Sequence, residues 1–253
     1  MLTIDLNCDM GESTELWLYS IEKDLSLLTY ISSMNLACGF HAGDPHTMHQ
    51  LVDAALAAGV AIGAHPGFPD RDNFGRTNKQ YSPEEIYDMV VYQLGATAAF
   101  LHLRGARLHH VKPHGALYNM AAADNTLAMS IATAVYDYDK QLQLYGLAGS
   151  ELIHAAKAVG LTTRNEVFAD RTYQSDGSLT PRSQPGALIN DPQQAIEQVV
   201  QMIEKNTIST VGGYSLTVVP ETICLHGDGA SALPFAKTIV AALTQKGIAI
   251  QHA

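Results

Sequence analysis

Residues 33–65 read SMNLACGFHAGDPHTMHQLVDAALAAGVAIGAH, and the architecture can be built outward from them. It opens with a short apolar run, Ser33–Cys38, of strand length. A Gly-containing loop carrying His41 leads to Asp44-Pro45, an N-cap with proline at the first helical position. An amphipathic helix follows and stops at Gly59, the usual C-terminal punctuation. A second apolar run, Val60–Ala64, begins at once. Strand, helix and strand in immediate succession form a βαβ unit, whose two strands run parallel.

The same rhythm extends in both directions. Further strands are predicted at Leu2–Leu6, Leu108–Lys112, Leu142–Tyr145, Thr163–Phe168 and Thr222–Leu225, with Ile248–Gln251 as an eighth. Ser82-Pro-Glu-Glu85 is a capping box that opens a helix running towards Gly105. Helices are also predicted over Asp124–Asp139, Ser150–Val159, Pro192–Lys205 and Ser231–Lys246. Seven or eight strand–helix units in 253 residues predict one α/β domain over residues 1–253, a closed parallel barrel rather than an open sheet. Two stretches break the rhythm. Thr207–Val219 reads as a hairpin turning at Gly212-Gly213, and Arg171–Leu188 as a long polar loop with an Asp176-Gly177 turn.

Composition narrows the function. Apolar residues make up 47% and charged residues 16%, which excludes disorder. A formal net charge of −10 repels phosphate backbones and argues against nucleic acid. The longest apolar stretch, Ala54–Ala64, is too short and too Gly-interrupted to cross a bilayer, and the start at Met1 lacks a signal peptide's features. Cys8, Cys38 and Cys224 lie far apart with no Cys-x-x-Cys pair, the pattern of a cytoplasmic protein.

Ionisable clusters fall where strands end. They are Asp5-Leu-Asn7-Cys-Asp9, His41-Ala-Gly-Asp44, His65-Pro-Gly67, Lys112-Pro-His114, Glu166-Val-Phe-Ala-Asp170-Arg171 and His226-Gly-Asp228. In a parallel barrel these points converge on the C-terminal rim, where such folds carry out their chemistry. Asp9, His41, His65, Lys112 and His114 are therefore candidate catalytic groups, with Asn7, His226 and Asp228 beside them as substrate-binding candidates. A carboxylate and several neutral imidazoles suit general acid–base work. They equally suit a divalent metal held by Asp9, His41, His65 and His114.

Four of the seven arginines, Arg71, Arg76, Arg171 and Arg182, sit in loops after strands and place fixed positive charge where a small anion would bind. No phosphate-loop or dinucleotide fingerprint appears. His46 and His49 read as solvated, His102 as suited to a helix C-terminus, and His109, His110, His154 and His252 as lacking a converging partner; the cysteines read as small buried spacers rather than nucleophiles.

Taken together, Asp5-Leu-Asn-Cys-Asp-Met-Gly-Glu12, Asn35-Leu-Ala-Cys-Gly-Phe-His-Ala-Gly-Asp-Pro45 and Ile62-Gly-Ala-His-Pro-Gly-Phe-Pro-Asp-Arg71 resemble the lactam-utilisation (LamB/YcsF) family. So do His110-Val-Lys-Pro-His-Gly-Ala-Leu-Tyr-Asn119, Glu166-Val-Phe-Ala-Asp-Arg171 and Cys224-Leu-His-Gly-Asp228. The resemblance covers essentially the whole chain. It implies an irregular (β/α) barrel akin to sugar deacetylases, and ring opening of 5-oxoproline to glutamate coupled to hydrolysis of ATP to ADP and phosphate. ATP is then a co-substrate of a complex with two further subunits, B and C. The family's rim residues map onto Asp9, His41, His65, Lys112, His114 and Asp170. The deacetylase metal pattern of two histidines four residues apart on one helical turn is absent. Two other readings stay open: a self-sufficient metal-dependent amidohydrolase or deacetylase, and a non-catalytic regulatory barrel.

Overall fold

In the computed structural model, which describes residues 2–17, 20–225 and 232–252, the elements alternate as the βαβ reading requires. They run β1 (Thr3–Met10), α1 (Ile21–Leu27), β2 (Ser33–Ala37), α2 (Pro45–Ala58), β3 (Ala61–His65), α3 (Pro83–His102), β4 (His110–Val111), α4 (Gly115–Ala121) and α5 (Asn125–Tyr138). Then come β5 (Gln143–Leu147), α6 (Glu151–Val159), β6 (Thr162–Phe168), α7 (Pro192–Lys205), β7 (Thr207–Ser209), β8 (Ser215–Thr217), β9 (Thr222–Leu225), α8 (Ala232–Gln245) and β10 (Ala249–Ile250). Seven parallel strands, β1 to β6 and β9, close into a barrel because β1 pairs with both β2 and β9. The eighth expected strand, β10, instead pairs with the start of β1, Thr3 with Ala249 and Ile4 with Ile250.

Helix ends follow their local chemistry. Asp44 accepts from the backbone N–H groups of His46 and Thr47, Pro45 follows, and Gly59 closes α2 at φ +70°. Ser82 and Glu85 cap α3 reciprocally. The hairpin forms as read, with Thr207 opposite Thr217 and Ser209 opposite Ser215. The 171–188 loop is tied by bridges between Arg171 and Leu188 and between Tyr173 and Leu179. Among the described residues, no helix is long and apolar enough to cross a membrane.

Three expectations need correcting. Helices α1 and α4 add to the expected set, each being only seven residues long and so too short to show a clear period. Strand β4 is two residues rather than five. Strand β1 continues past Leu6 to Met10, so Asn7 and Asp9 lie in the strand itself rather than in a loop after it. The physical reason is that the barrel interior at this level is polar. Ile4, Leu6, Cys8 and Met10 face the helices and join the main apolar core, while Asp5, Asn7 and Asp9 alternate with them.

Candidate active site

Glu12, His41, His65 and His114 meet at the rim, their ligand atoms all within 4.8 Å of one another. Glu12 lies two residues past β1, His41 in the loop after β2, His65 at the end of β3, and His114 between β4 and α4. Glu12 Oε1 stands 3.1 Å from His41 Nε2, 2.9 Å from His114 Nδ1 and 3.5 Å from His65 Nε2. The His41 and His114 rings stack at 3.7 Å with 3° between their planes. Glycines make room for this stack. A Cβ on Gly75 would come within 2.7 Å of His41 Cβ and 2.9 Å of His114 Cδ2, and one on Gly67 within 2.6 Å of His41 Nδ1.

Neighbouring carbonyls fix the tautomers. His65 Nδ1 lies 2.6 Å from the Lys112 carbonyl oxygen and His114 Nε2 lies 2.8 Å from that of Phe74. A carbonyl oxygen only accepts, so both of these nitrogens carry hydrogen. The other ring nitrogens, His65 Nε2 and His114 Nδ1, then face each other at 3.0 Å. Burial, then the neighbouring His114, pulls His41 down to about 3, so it is a neutral imidazole at pH 7. Burial opposes charge on His65, but the Asp9 and Glu12 carboxylates outweigh it and raise its pKa. Burial likewise works against Glu12, yet His114 by charge and hydrogen bond, joined by His41, holds its carboxyl well below the carboxylate range.

Lys112 forms a second centre alongside. Its buried ammonium lies 2.9 Å from Asp9 Oδ1, 2.8 Å from Glu166 Oε1, 3.2 Å from Asn7 Oδ1 and 3.2 Å from Cys224 Sγ. Burial disfavours this charge, and Asp9, Cys224 and Glu166 more than compensate, raising Lys112 well above the ordinary lysine value. Asp9 links the two centres, with Oδ2 3.3 Å from His65 Nε2. Asp9, Glu12 and Glu166 against Lys112 leave a formal surplus of two negative charges. That surplus, with the facing ring nitrogens, makes Glu12, His41, His65 and His114 a group that could bind a metal.

Both centres border a cavity of about 620 Å³ walled by α4, the turn from β5 to α6 and the 171–188 loop. Asp9, His65, Lys112 and His114 line it. So does Glu12, which sequence reasoning places in a motif without singling it out. The signal that could have found it is a carboxylate one residue after a glycine at a strand end. Arg76, Arg171 and Arg182 line it as well. Arg171 is 5% exposed, donates through Nη2 to the Thr180 carbonyl at 2.7 Å, and has no partner for Nε among the described residues. Burial, then the like charge of Arg182, lowers it to about 10, so it remains a cation at neutral pH.

Other candidates lie elsewhere. Arg71 is pinned to the Gly39 and Gly43 carbonyls, both at 2.9 Å, and is not a cavity residue. Asn7 lies beneath the floor, its amide consumed by Glu166, Thr222, Asn35 and Lys112. His41 sits behind His114, fully buried, and half-buried Asp170 does not border the cavity. His226 and Asp228 fall outside the described residues. His109 and His110, expected to lack converging partners, do have them: each other at 3.0 Å, and Asn35 for His110 at 2.8 Å. Cys8, Cys38 and Cys224 are all buried with raised pKa values, first through desolvation, which disfavours a nucleophilic role.

A model of the LamB/YcsF family matches residues 4–253. The chain is 57% identical over 250 residues to the 5-oxoprolinase A subunit of Brevibacillus brevis, covering 99% of this chain and 98% of that one. It is 55% identical to the protein of the same name from Tolumonas auensis, covering 99% of both. The crystal structure of a lactam utilization protein from Thermus thermophilus superposes with a TM-score of 0.91 at 41% identity, over 99% of each chain. A polysaccharide deacetylase from Bacillus cereus shares the fold alone, at a TM-score of 0.53 and 15% identity, over 100% of this chain and 92% of that one.

Proposed function

The chain belongs to the LamB/YcsF family, and on that premise we propose that it is the ring-opening component of an ATP-dependent 5-oxoprolinase, cleaving 5-oxo-L-proline to L-glutamate as ATP is hydrolysed to ADP and phosphate. The observation that carries the reading is the convergence of Asp9, His65, Lys112 and His114 on one cavity, in a chain matched end to end by proteins of that name.

Opening a lactam makes three demands. The attacking water must lose a proton, the carbonyl oxygen must bear negative charge, and the ring nitrogen must gain a proton as the C–N bond breaks. Asp9 suits the first and third: it borders the cavity, with Oδ1 anchored on Lys112 and Asn35 and Oδ2 3.3 Å from His65 Nε2. Lys112 supplies fixed positive charge for the second. Arg76, Arg171 and Arg182 supply it for the substrate carboxylate or for a phosphoryl group carried on the activated lactam. Glu12, His41, His65 and His114 would hold a divalent metal of the zinc class, which when bound supplies Lewis acidity.

The amide is resonance-stabilised, which is why activation by ATP is needed. The sequence has no phosphate loop of the Gly-x-x-x-x-Gly-Lys type, so we place ATP binding on the partner subunits. The test is ATP-dependent glutamate release by this chain with and without those subunits. Turnover should appear only in the mixture, and coupled turnover by the lone chain would defeat the assignment. The Glu12–histidine group favours a second reading, a self-sufficient metal hydrolase, which glutamate release by the zinc-loaded chain without ATP would establish.

A further inference from the structure

A buried row of side chains crosses the barrel beneath the site. Asp9 of β1 pairs in register with Asn35 of β2, Asn35 with Gly63 of β3, and Gly63 with His110 of β4. Gly63 has no side chain, and His110 occupies the gap: a Cβ built on Gly63 would lie 2.2 Å from His110 Nε2. The imidazole thus reaches across β3 to Asn35, with Nε2 2.8 Å from Oδ1. Tyr145 stacks on the ring at 4.0 Å, and both His110 and Asn35 are wholly buried.

Elimination orients every donor in the row. An ionised carboxylate only accepts, so the Asn35 atom 2.8 Å from Asp9 Oδ1 is the amide nitrogen. The same nitrogen reaches Asn7 Oδ1 at 2.8 Å, and the Asn7 nitrogen is directed in turn by Glu166 Oε1 at 3.0 Å. Asn35 Oδ1 is left facing His110, which must carry its proton on Nε2. His110 Nδ1 then accepts from His109 Nδ1 at 3.0 Å. From His109 through His110 and Asn35 the donors point towards Asp9, and dipoles so aligned reinforce one another.

We propose that His110 is a positioning residue for the reaction. Through Asn35 it sets the orientation of Asp9, a residue that borders the cavity, so that Oδ1 is held by Asn35 and Lys112 while Oδ2 is presented to His65. Gly63 is the opening that lets it do so. The inference rests on the reading of Asp9 as the group that moves the proton.

The experiment measures kcat and KM for 5-oxoproline in the complex assembled with its partner subunits. His110→Phe keeps a ring against Tyr145 and removes the Nε2 donor. Its kcat should fall about 10–100-fold, the scale of a misplaced catalytic group, with KM changed by no more than about twofold. His110→Gln restores an amide N–H at the same reach and should recover most of the loss. Asn35→Asp removes the donor to Asp9 and should match His110→Phe, and it serves in its place if the Phe variant does not fold. Native kcat in His110→Phe, or equal loss in the Phe and Gln variants, overturns the proposal. Asp9→Asn separates the two claims. If it retains turnover, the reading of Asp9 fails; if it is inactive while His110→Phe is native-like, only the positioning role fails.

Discussion

His65 Nε2 and His114 Nδ1 face each other across 3.0 Å while the second nitrogen of each ring is committed to a backbone carbonyl. Two lone pairs at that distance repel unless a proton or a cation stands between them. Glu12 Oε1, 2.9 Å from His114 Nδ1, adds a third acceptor to the same spot.

Either a proton, in line with the raised pKa of His65, or a metal cation satisfies the spot, and the four-ligand grouping leads us to expect the cation. Protein purified without chelators should carry about one zinc-class ion per chain, as elemental analysis would reveal. Glu12→Gln and His65→Ala should each weaken zinc binding by more than the roughly 10–100-fold typical of groups that only orient ligands. Zinc titrations giving the same affinity for native protein and both variants would remove the site.

On the proposed mechanism, Lys112→Met should lower kcat of the assembled enzyme by at least about 10²-fold, because the carbonyl oxygen would lose its fixed charge. It should also destabilise the fold by about 3–5 kcal/mol, since Asp9 and Glu166 are left as buried charges without their partner. The pH dependence has a definite sign. The folded pKa of Lys112 is raised, so its contribution is fully present below the ordinary lysine pKa of about 10.4 and is lost only as pH climbs through the higher folded value. Denaturant melts from about pH 6 to 11 would show the onset of this alkaline loss in native protein and none attributable to it in the variant.

Inorganic phosphate or sulfate should raise the melting temperature of the isolated chain, because Arg171 and Arg182 share a wall as like charges. Arg171→Met should abolish that rise and increase KM about tenfold or more. Arg71→Met should leave the rise intact while loosening the loops that Arg71 ties to Gly39 and Gly43. An unchanged response in Arg171→Met would show that the arginines are not an anion subsite.

Gly63→Ala inserts a methyl group 2.2 Å from His110 Nε2, an overlap that only movement of the ring or strand can relieve. Destabilisation by about 1–3 kcal/mol is expected, together with a fall in kcat. Equilibrium unfolding indistinguishable from native would mean that the row yields more easily than its packing indicates.

Much of this is legible in the residues. Asp44-Pro45 and Gly59 delimit α2 as read, and the run Val60–Ala64 corresponds to β3 within one residue at each end. The rim histidines stand out because each follows its own strand. Two kinds of information are hidden. Hydrophobic alternation stops β1 at Leu6, since Asn7 and Asp9 look like a loop unless the barrel interior is known to be polar. Pairing across strands is hidden too: nothing local in the sequence says that Gly63 leaves space for His110, or that Arg71 turns towards carbonyls rather than the cavity.

Closure of the barrel by β1 against β9 sets an order of events during synthesis. Asn7 finds its amide partner at Thr222, 215 positions along the chain, and Asp5 is bonded by the same threonine. Until the ribosome has released that segment, the polar inner row of β1 stands open to water, which solvates Asp5, Asn7 and Asp9 without penalty. Without β9, neither β1 nor β6 has the neighbour that joins them into a closed barrel. A fragment ending before Thr222 lacks β9, and with it α8 and β10, so nothing seals the seam between β1 and β6 over the floor of the site.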